Sequence, residues 1–178
     1  APGSEVYCTI QPAIEAAFAS GDGEVRLQSG VYRESIQLRP DVRLRGEEGG
    51  KGEEETPLAV IEFDAATSPG LVLVTAAADS EIENVLLRAP VGAGVGVVLL
   101  HIPNVPARAE EVVFDGGGNA GTIGVLAQGI GSSDGRIRQS TFLDLAIGIQ
   151  SENSGLRVTR NLFDGIADDA ILVAEPEV

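Results

Sequence analysis

The sequence predicts an all-β fold, a right-handed single-stranded parallel β-helix of about six or seven coils with a short N-terminal capping helix. Three observations support this prediction. An amphipathic helical segment opens the chain, short strand-like segments follow it, and the second half repeats one strand pattern four times. We expect one domain over residues 1–178, with the cap helix at about 9–20 and the coils at about 24–174.

The cap helix is indicated by four apolar residues at helical spacing, which form one stripe: Ile10, Ile14, Ala17 and Phe18. Thr9 stands where an N-cap residue belongs, and the Gly21-Asp22-Gly23 run ends the helix. After Gly23 the apolar period changes to two, as expected for strands with one buried face, over residues 25–27, 35–38 and 42–45.

Four segments in the second half align without gaps, over residues 82–87, 109–114, 137–142 and 158–163. Each is followed by another short strand-like run, over residues 95–100, 122–126, 146–150 and 170–173. A unit of this length cannot bury its own apolar face, and stacking one unit on the next solves the problem. The fixed leucine and asparagine pattern of leucine-rich repeats is missing, and an antiparallel sandwich is the main alternative outside the solenoids.

Composition limits the classes of partner. The net charge of −15 argues against nucleic acid, because a phosphate backbone would be repelled, and it also disfavours anionic membranes and bare polyuronic acids unless cations bridge the two. No apolar run is long enough to cross a membrane. The chain contains no Met, even at position 1, which indicates a processed chain or an excised domain, and we expect a secreted or cell-surface parent protein.

The opening of the chain resembles that of pectin methylesterases and of the wider pectate-lyase-like superfamily. The resemblance rests on residues 7–17, Gly21-Asp22, residues 30–34 and Leu44-Arg45-Gly46. It implies a parallel β-helix whose first coil is capped by the helix. The family's catalytic Gln-Asp-Thr and Asp-Phe-Ile-Phe-Gly stretches are absent from this sequence, so the resemblance implies the fold without the esterase activity.

The repeat alignment predicts columns of outward side chains, because neighbours of inward residues point outward. If Ile82, Ala109, Ile137 and Val158 face the core, one outer column contains Glu81, Arg108, Arg136 and Arg157. The next contains Glu83, Glu110, Arg138 and Thr159. The candidate ligand-binding residues are therefore Arg108, Arg136, Arg138 and Arg157, for an acidic or hydroxyl-rich glycan. The alternative is that Glu83 and Glu110 neutralise the arginines in exposed ion pairs.

A second candidate is acidic. Calcium prefers several converging carboxylate oxygens, and the candidate ligands are Asp144, Asp164, Asp168 and Asp169, with Asp115 one coil earlier. Asp168-Asp169 is also similar to the Asp-Asp pair of polygalacturonases, which makes these two the candidate catalytic residues for glycoside hydrolysis. Turn chemistry is the competing explanation, because Asp at turns bonds its own backbone. His101 has no second ligand nearby in sequence, and we expect it to be structural or merely exposed.

A β-helix has two open ends, and only one is covered by the helix. At the other end, only residues 174–178 follow the last predicted strand, so we expect self-association or a longer parent chain there. The leading functional hypothesis is a secreted or surface module that binds a polysaccharide, with catalysis left open. The rival hypothesis is a structural or adhesive spacer without catalytic activity.

Overall fold

In a computed structural model, the structure describes residues 6–47, 59–64, 70–91, 96–129, 135–152 and 154–174. Helix α1 (Ile10–Ser20) comes first, and each coil then contributes three strands. The first three coils contain β1 (Glu24–Leu27), β2 (Gly30–Arg33), β3 (Ile36–Gln37), β4 (Arg43–Gly46), β5 (Ala59–Glu62), β6 (Val72–Thr75), β7 (Ser80–Glu83), β8 (Val85–Arg88) and β9 (Val98–Pro103). The last three contain β10 (Ala107–Glu110), β11 (Val113–Asp115), β12 (Ile123–Gln128), β13 (Arg136–Arg138), β14 (Thr141–Leu143), β15 (Ile147–Glu152), β16 (Arg157–Thr159), β17 (Leu162–Asp164) and β18 (Asp169–Ala174).

Corresponding strands of successive coils pair in parallel and form three sheets of six strands each. Sheet A begins with β1, sheet B with β2 and sheet C with β3. The predicted parallel solenoid is therefore confirmed, and the antiparallel alternative is excluded. From the first to the last strand of a sheet the chain makes about five full turns, which puts the number of coils at the lower end of the predicted six or seven.

Helix α1 packs on β1 and β3 and buries Ile10, Ile14 and Ala17, so it covers the first coil as predicted. Two details differ from the sequence expectation. The Thr9 side chain makes no capping bond, and the Glu34 carboxylate instead accepts bonds from the backbone N–H groups of Ile10 (2.8 Å) and Gln11 (3.1 Å). Phe18 is 48% exposed, with the Arg39 guanidinium 5.7 Å from its ring centre.

The interior is filled by ladders of inward side chains. Phe114, Phe142 and Phe163 stack along sheet B with ring centres 4.6 and 4.7 Å apart. Two glycines of sheet C make room for these rings. A Cβ on Gly124 would lie 2.8 Å from the Phe142 ring, and one on Gly148 would lie 2.8 Å from the Phe163 ring. Backbone carbonyl oxygens of the next coil lie even closer to these Cβ positions, Gly148 O at 2.6 Å and Ala170 O at 2.5 Å, so the glycines are explained by the aromatic stack and the close approach of the next coil together.

The corner between sheets A and B contains one residue with a left-handed backbone in each of the last four coils: Asn84 (φ 53°), Glu111 (φ 55°), Gln139 (φ 51°) and Arg160 (φ 57°). Each aligned segment of the sequence therefore contains two strands and one sharp bend, rather than one continuous strand. Because the corner residues are of four different types and none is glycine, the sequence carries no common turn signal at this position.

Candidate functional site

The two predicted outer columns of sheet A are confirmed by the strand register. Column 1 contains Glu24, Arg43, Glu81, Arg108, Arg136 and Arg157 in successive coils. Column 2 contains Arg26, Arg45, Glu83, Glu110, Arg138 and Thr159. Neighbouring members lie about 4.8 Å apart because this is the spacing of paired strands.

Charges in the first coils are paired within these columns. Arg43 contacts Glu81 with an N–O distance of 2.7 Å, and Arg45 contacts Glu83 at 3.6 Å. Of the four candidate binding arginines, Arg138 belongs to this paired class, because its guanidinium contacts Glu110 of the preceding coil. For Arg138, the alternative of an ion pair is the one that the structure supports.

The other three candidates, Arg108, Arg136 and Arg157, occupy consecutive positions of column 1, and we call them the arginine column. All three are exposed, and within the described part of the chain their side chains form neither an ion pair nor a hydrogen bond. Like charges directly opposite each other on neighbouring strands destabilise a sheet. The arginine column is therefore a surface whose positive charge is available to a ligand.

The four candidate aspartates lie in the last two coils and are exposed. Asp144 and Asp164 are at the corner between sheets B and C, and Asp168 and Asp169 are at the start of β18. Among the residues that the structure describes, no group of three or more acidic, histidine or cysteine side chains is placed to hold a metal ion. For Asp115, the structure supports the competing explanation of a turn residue, because its Oδ1 accepts a 2.9 Å hydrogen bond from the Gly117 backbone N–H.

A polar cluster on the outer face of sheet C was missed by the sequence analysis. It consists of His101, Gln128, Gln150 and Glu152, all half-buried, and we call it the sheet C cluster. His101 Nε2 lies 3.0 Å from Gln128 Oε1, and Gln128 Nε2 donates a 2.7 Å bond to Glu152 Oε2. Gln150 Nε2 donates a 2.6 Å bond to the other Glu152 oxygen. The cluster therefore links three successive coils by side-chain hydrogen bonds.

A shallow depression lies at the corner where sheet C leads into sheet A. Its lining includes Ile102, Asn104, Gln128, Gly135, Ser154 and Leu156. Gln128 belongs to the sheet C cluster, while Gly135 and Leu156 directly precede Arg136 and Arg157. The two candidate surfaces thus flank the same corner of the solenoid.

At the C-terminal end, the inward positions of β18 are exposed in the described chain. Ile171 is 46% exposed, although its partner Ile149 in the preceding coil is fully buried. Val173 is 67% exposed at a position where Ser151 is buried. The expected tail covers residues 174–178, and all but Ala174 lies outside the described residues. None of the described helices is long and apolar enough to span a membrane.

No family model and no curated protein matches the chain. Among solved structures, pectin methylesterase PemA from Erwinia chrysanthemi is similar over 85% of this chain and 53% of that chain, with 16% sequence identity and a TM-score of 0.46. A protein from Parabacteroides merdae described as a "putative glycosyl hydrolase" is similar over 99% of this chain and 92% of that one, with 11% identity and a TM-score of 0.31. The chain thus spans about half the length of the first of these structures. At these sequence identities the similarity concerns the fold alone.

Proposed function

We propose that the chain is a β-helix module that binds an acidic polysaccharide along the arginine column. The observation that carries this proposal is the register of Arg108, Arg136 and Arg157 on three adjacent strands, without a carboxylate partner in the described chain. Arg43 and Arg45 of the same sheet are paired with glutamates, so the absence of pairing is confined to the later coils.

The chemistry of this surface suits a linear polyanion. A guanidinium group presents a planar set of donors that binds carboxylate or sulfate oxygens in pairs. The arginines follow the stacking axis with a spacing of about 4.8 Å, so an extended polymer with repeated anionic groups can contact several of them at once. The net charge of −15 opposes the approach of any polyanion, as it does for nucleic acid, so the proposed contact is local to the arginine column.

Binding to immobilised polygalacturonate and alginate, compared with neutral glycans, tests the proposal. We expect the double variant Arg136→Ala plus Arg157→Ala to bind about 10- to 100-fold more weakly, because two charge-assisted contacts are lost. The matched control is Arg26→Ala plus Arg43→Ala, which removes the same charge from ion-paired positions of sheet A. Equal losses in both double variants would mean that only total charge matters and would contradict a site at the arginine column.

The calcium hypothesis is tested in the same experiment. Because the arginines contact the polymer directly, we expect binding to be unchanged by EDTA. Binding that requires calcium would place the contact at carboxylates such as Asp144 and Asp164, and would contradict the arginine proposal.

Secretion or surface display is part of the proposal, as is binding without turnover. A polysaccharide-degradation assay addresses turnover, and activity lost in Asp168→Asn and Asp169→Asn would restore the hydrolase interpretation. If no acidic glycan binds, the spacer hypothesis is favoured, since stacked coils provide a rigid rod without any ligand.

A further inference from the structure

The sheet C cluster is a directional hydrogen-bonded chain on a surface that the arginine column does not include. His101, Gln128 and Glu152 point outward from β9, β12 and β15, and the strand register joins Gln128 directly to Glu152. Each member is half-buried, so the cluster is held by neighbouring coils and still reaches the surface.

The chemistry of Glu152 sets the direction of the chain. An ionised carboxylate only accepts hydrogen bonds, so the Gln128 group that lies 2.7 Å from Glu152 must be its NH₂. The Gln128 carbonyl oxygen therefore faces His101 at 3.0 Å. A carbonyl oxygen only accepts, so His101 must carry a proton on Nε2. In the neutral imidazole the lone pair is then on Nδ1.

The hydrogen-bonding groups that the sheet C cluster does not use internally define the kind of ligand. Within the described chain, His101 Nδ1 has no hydrogen-bond partner, and Gln128 and Gln150 each use one amide hydrogen on Glu152. The surface thus offers an acceptor beside free amide donors, and a hydroxyl group satisfies both kinds of group. An anion is disfavoured by the charge of Glu152, and no described group of ligands is placed to hold a metal ion.

Apolar side chains lie beside these polar groups on the same face. Leu126 stands next to His101 in the strand register, and Val98, Ile123 and Ile147 form a neighbouring half-buried column. A sugar ring presents C–H groups on its faces and hydroxyl groups at its rim, which matches an apolar column beside a polar one.

We propose that Gln128 and Glu152 fix His101 as a hydrogen-bond acceptor through Nδ1, and that the sheet C cluster binds an uncharged, hydroxyl-bearing ligand of the sugar class. This site is separate from the arginine column and does not depend on the function proposed above. Gln128 and Glu152 position His101, and a ligand hydroxyl group would contact His101 Nδ1 and the remaining amide hydrogens of Gln128 and Gln150.

Nitrogen-15 NMR tests the positioning step, and His101 is the only histidine, so its signals need no assignment. At pH 8, well above the ordinary titration range of histidine, we expect a single tautomer with Nε2 protonated. Gln128→Leu should give the mixture of tautomers that an unrestrained imidazole shows. The control is Gln37→Leu. Gln37 is exposed and lies in the same outward column as His101, two coils earlier, so its replacement should leave the His101 signals unchanged. A protonated Nδ1 in the unmodified chain, or no change in Gln128→Leu, would overturn the proposal.

A glycan array that holds neutral and acidic glycans tests the ligand class. We expect binding to at least one neutral glycan, reduced about tenfold in His101→Ala and Gln128→Leu because one hydrogen bond is lost. The same binding should persist in Gln37→Leu and in Arg136→Ala plus Arg157→Ala. If the chain binds no neutral glycan on the array, the sheet C proposal is overturned. If it binds neutral glycans but no acidic ones, only the arginine column proposal is contradicted.

Discussion

Along sheet A, the first three and the last three coils present the same outer columns with different charge patterns. In the first coils, Arg43 contacts Glu81 and Arg45 contacts Glu83 across neighbouring strands. In the last coils, column 1 contains three arginines in a row. Because the strands and their spacing are the same, side-chain identity alone decides whether a coil neutralises its own charge or offers it to a ligand.

The two ends of the stack also differ, in how well the terminal coil is covered. Helix α1 covers the first coil, and Glu34 of that coil binds the backbone N–H groups at the start of the helix. In the last coil, Phe163 is half-buried and Ile171 is 46% exposed, although the preceding coil is fully buried at the equivalent positions. Since each coil is stabilised by its neighbours, stability should be highest in the middle of the stack and lowest at this end.

The largest expected effect follows from this difference between coils. Phe142 is fully buried and stacks on a ring on each side, whereas Phe163 stacks on one side only among the described residues. We expect Phe142→Ala to lower the free energy of unfolding by about 3–5 kcal/mol, and Phe163→Ala by less than half of that. Denaturant unfolding at low protein concentration measures both.

Equal losses for the two phenylalanines would contradict an open end. In that case Phe163 would be covered in solution, and a loss for Phe163→Ala that grows with protein concentration would identify self-association as the cover.

The outer columns could be predicted from the sequence because alternation and spacing determine them. Once Ile82, Ala109 and Ile137 were aligned as inward residues, their neighbours had to stack outward, and the register agrees at every position. Pairing within the columns stayed open as an alternative in the sequence. Arg138 follows Glu110 in column 2, whereas Arg136 follows Arg108 in column 1, and the contact of Arg138 with Glu110 identifies Arg138 as the paired arginine.

The sheet C cluster was missed because the predicted strands were too short. The sequence indicated strands that end at Leu100, Leu126 and Gln150, whereas the strands of sheet C extend to Pro103, Gln128 and Glu152. Three of the four cluster residues lie in these extensions. Polar residues at the end of an apolar run resemble the start of a loop, and only pairing with the neighbouring coils keeps them in the sheet.

A smaller effect is expected from a charge network in the earlier coils. Glu62 of sheet B contacts Arg33 at 2.9 Å and Arg88 at 2.5 Å, and its side chain is only 15% exposed. The hydrogen bonds from Arg33 and then from Arg88 hold the pKa of Glu62 below its ordinary value, against the opposing effect of burial. The stabilisation is therefore complete above the ordinary pKa of glutamate and is lost as the pH falls through the lowered pKa.

We expect Glu62→Gln to cost about 1 kcal/mol at pH 7. The cost should shrink as the pH is lowered toward 3, because the unmodified chain then loses the same charge. Urea unfolding across this pH range measures the effect, with Glu111→Gln as the exposed control. A cost that does not change with pH would show that the contacts of Glu62 act through packing rather than charge.

The smallest expected change in stability is also the sharpest test of the comparison along sheet A. Arg136→Glu gives the last coils the alternating pattern of the first, with a carboxylate between Arg108 and Arg157. We expect the free energy of unfolding to rise by about 0.2–1 kcal/mol, since repulsion is replaced by two exposed ion pairs. Binding to acidic polysaccharide should be lost in the same variant.

The opposite exchange, Glu81→Arg, breaks the pair with Arg43 and lengthens the run of arginines from three to five, because Arg43 then joins it. It should lower stability by a similar amount and strengthen binding of the polymer. Stability and binding should therefore change in opposite directions in the two variants, as measured by urea unfolding and by binding to immobilised polygalacturonate. If both quantities fell in Arg136→Glu, the arginine column would contribute to the fold rather than to a ligand site, because a surface kept free for a ligand is stabilised when its charges are neutralised.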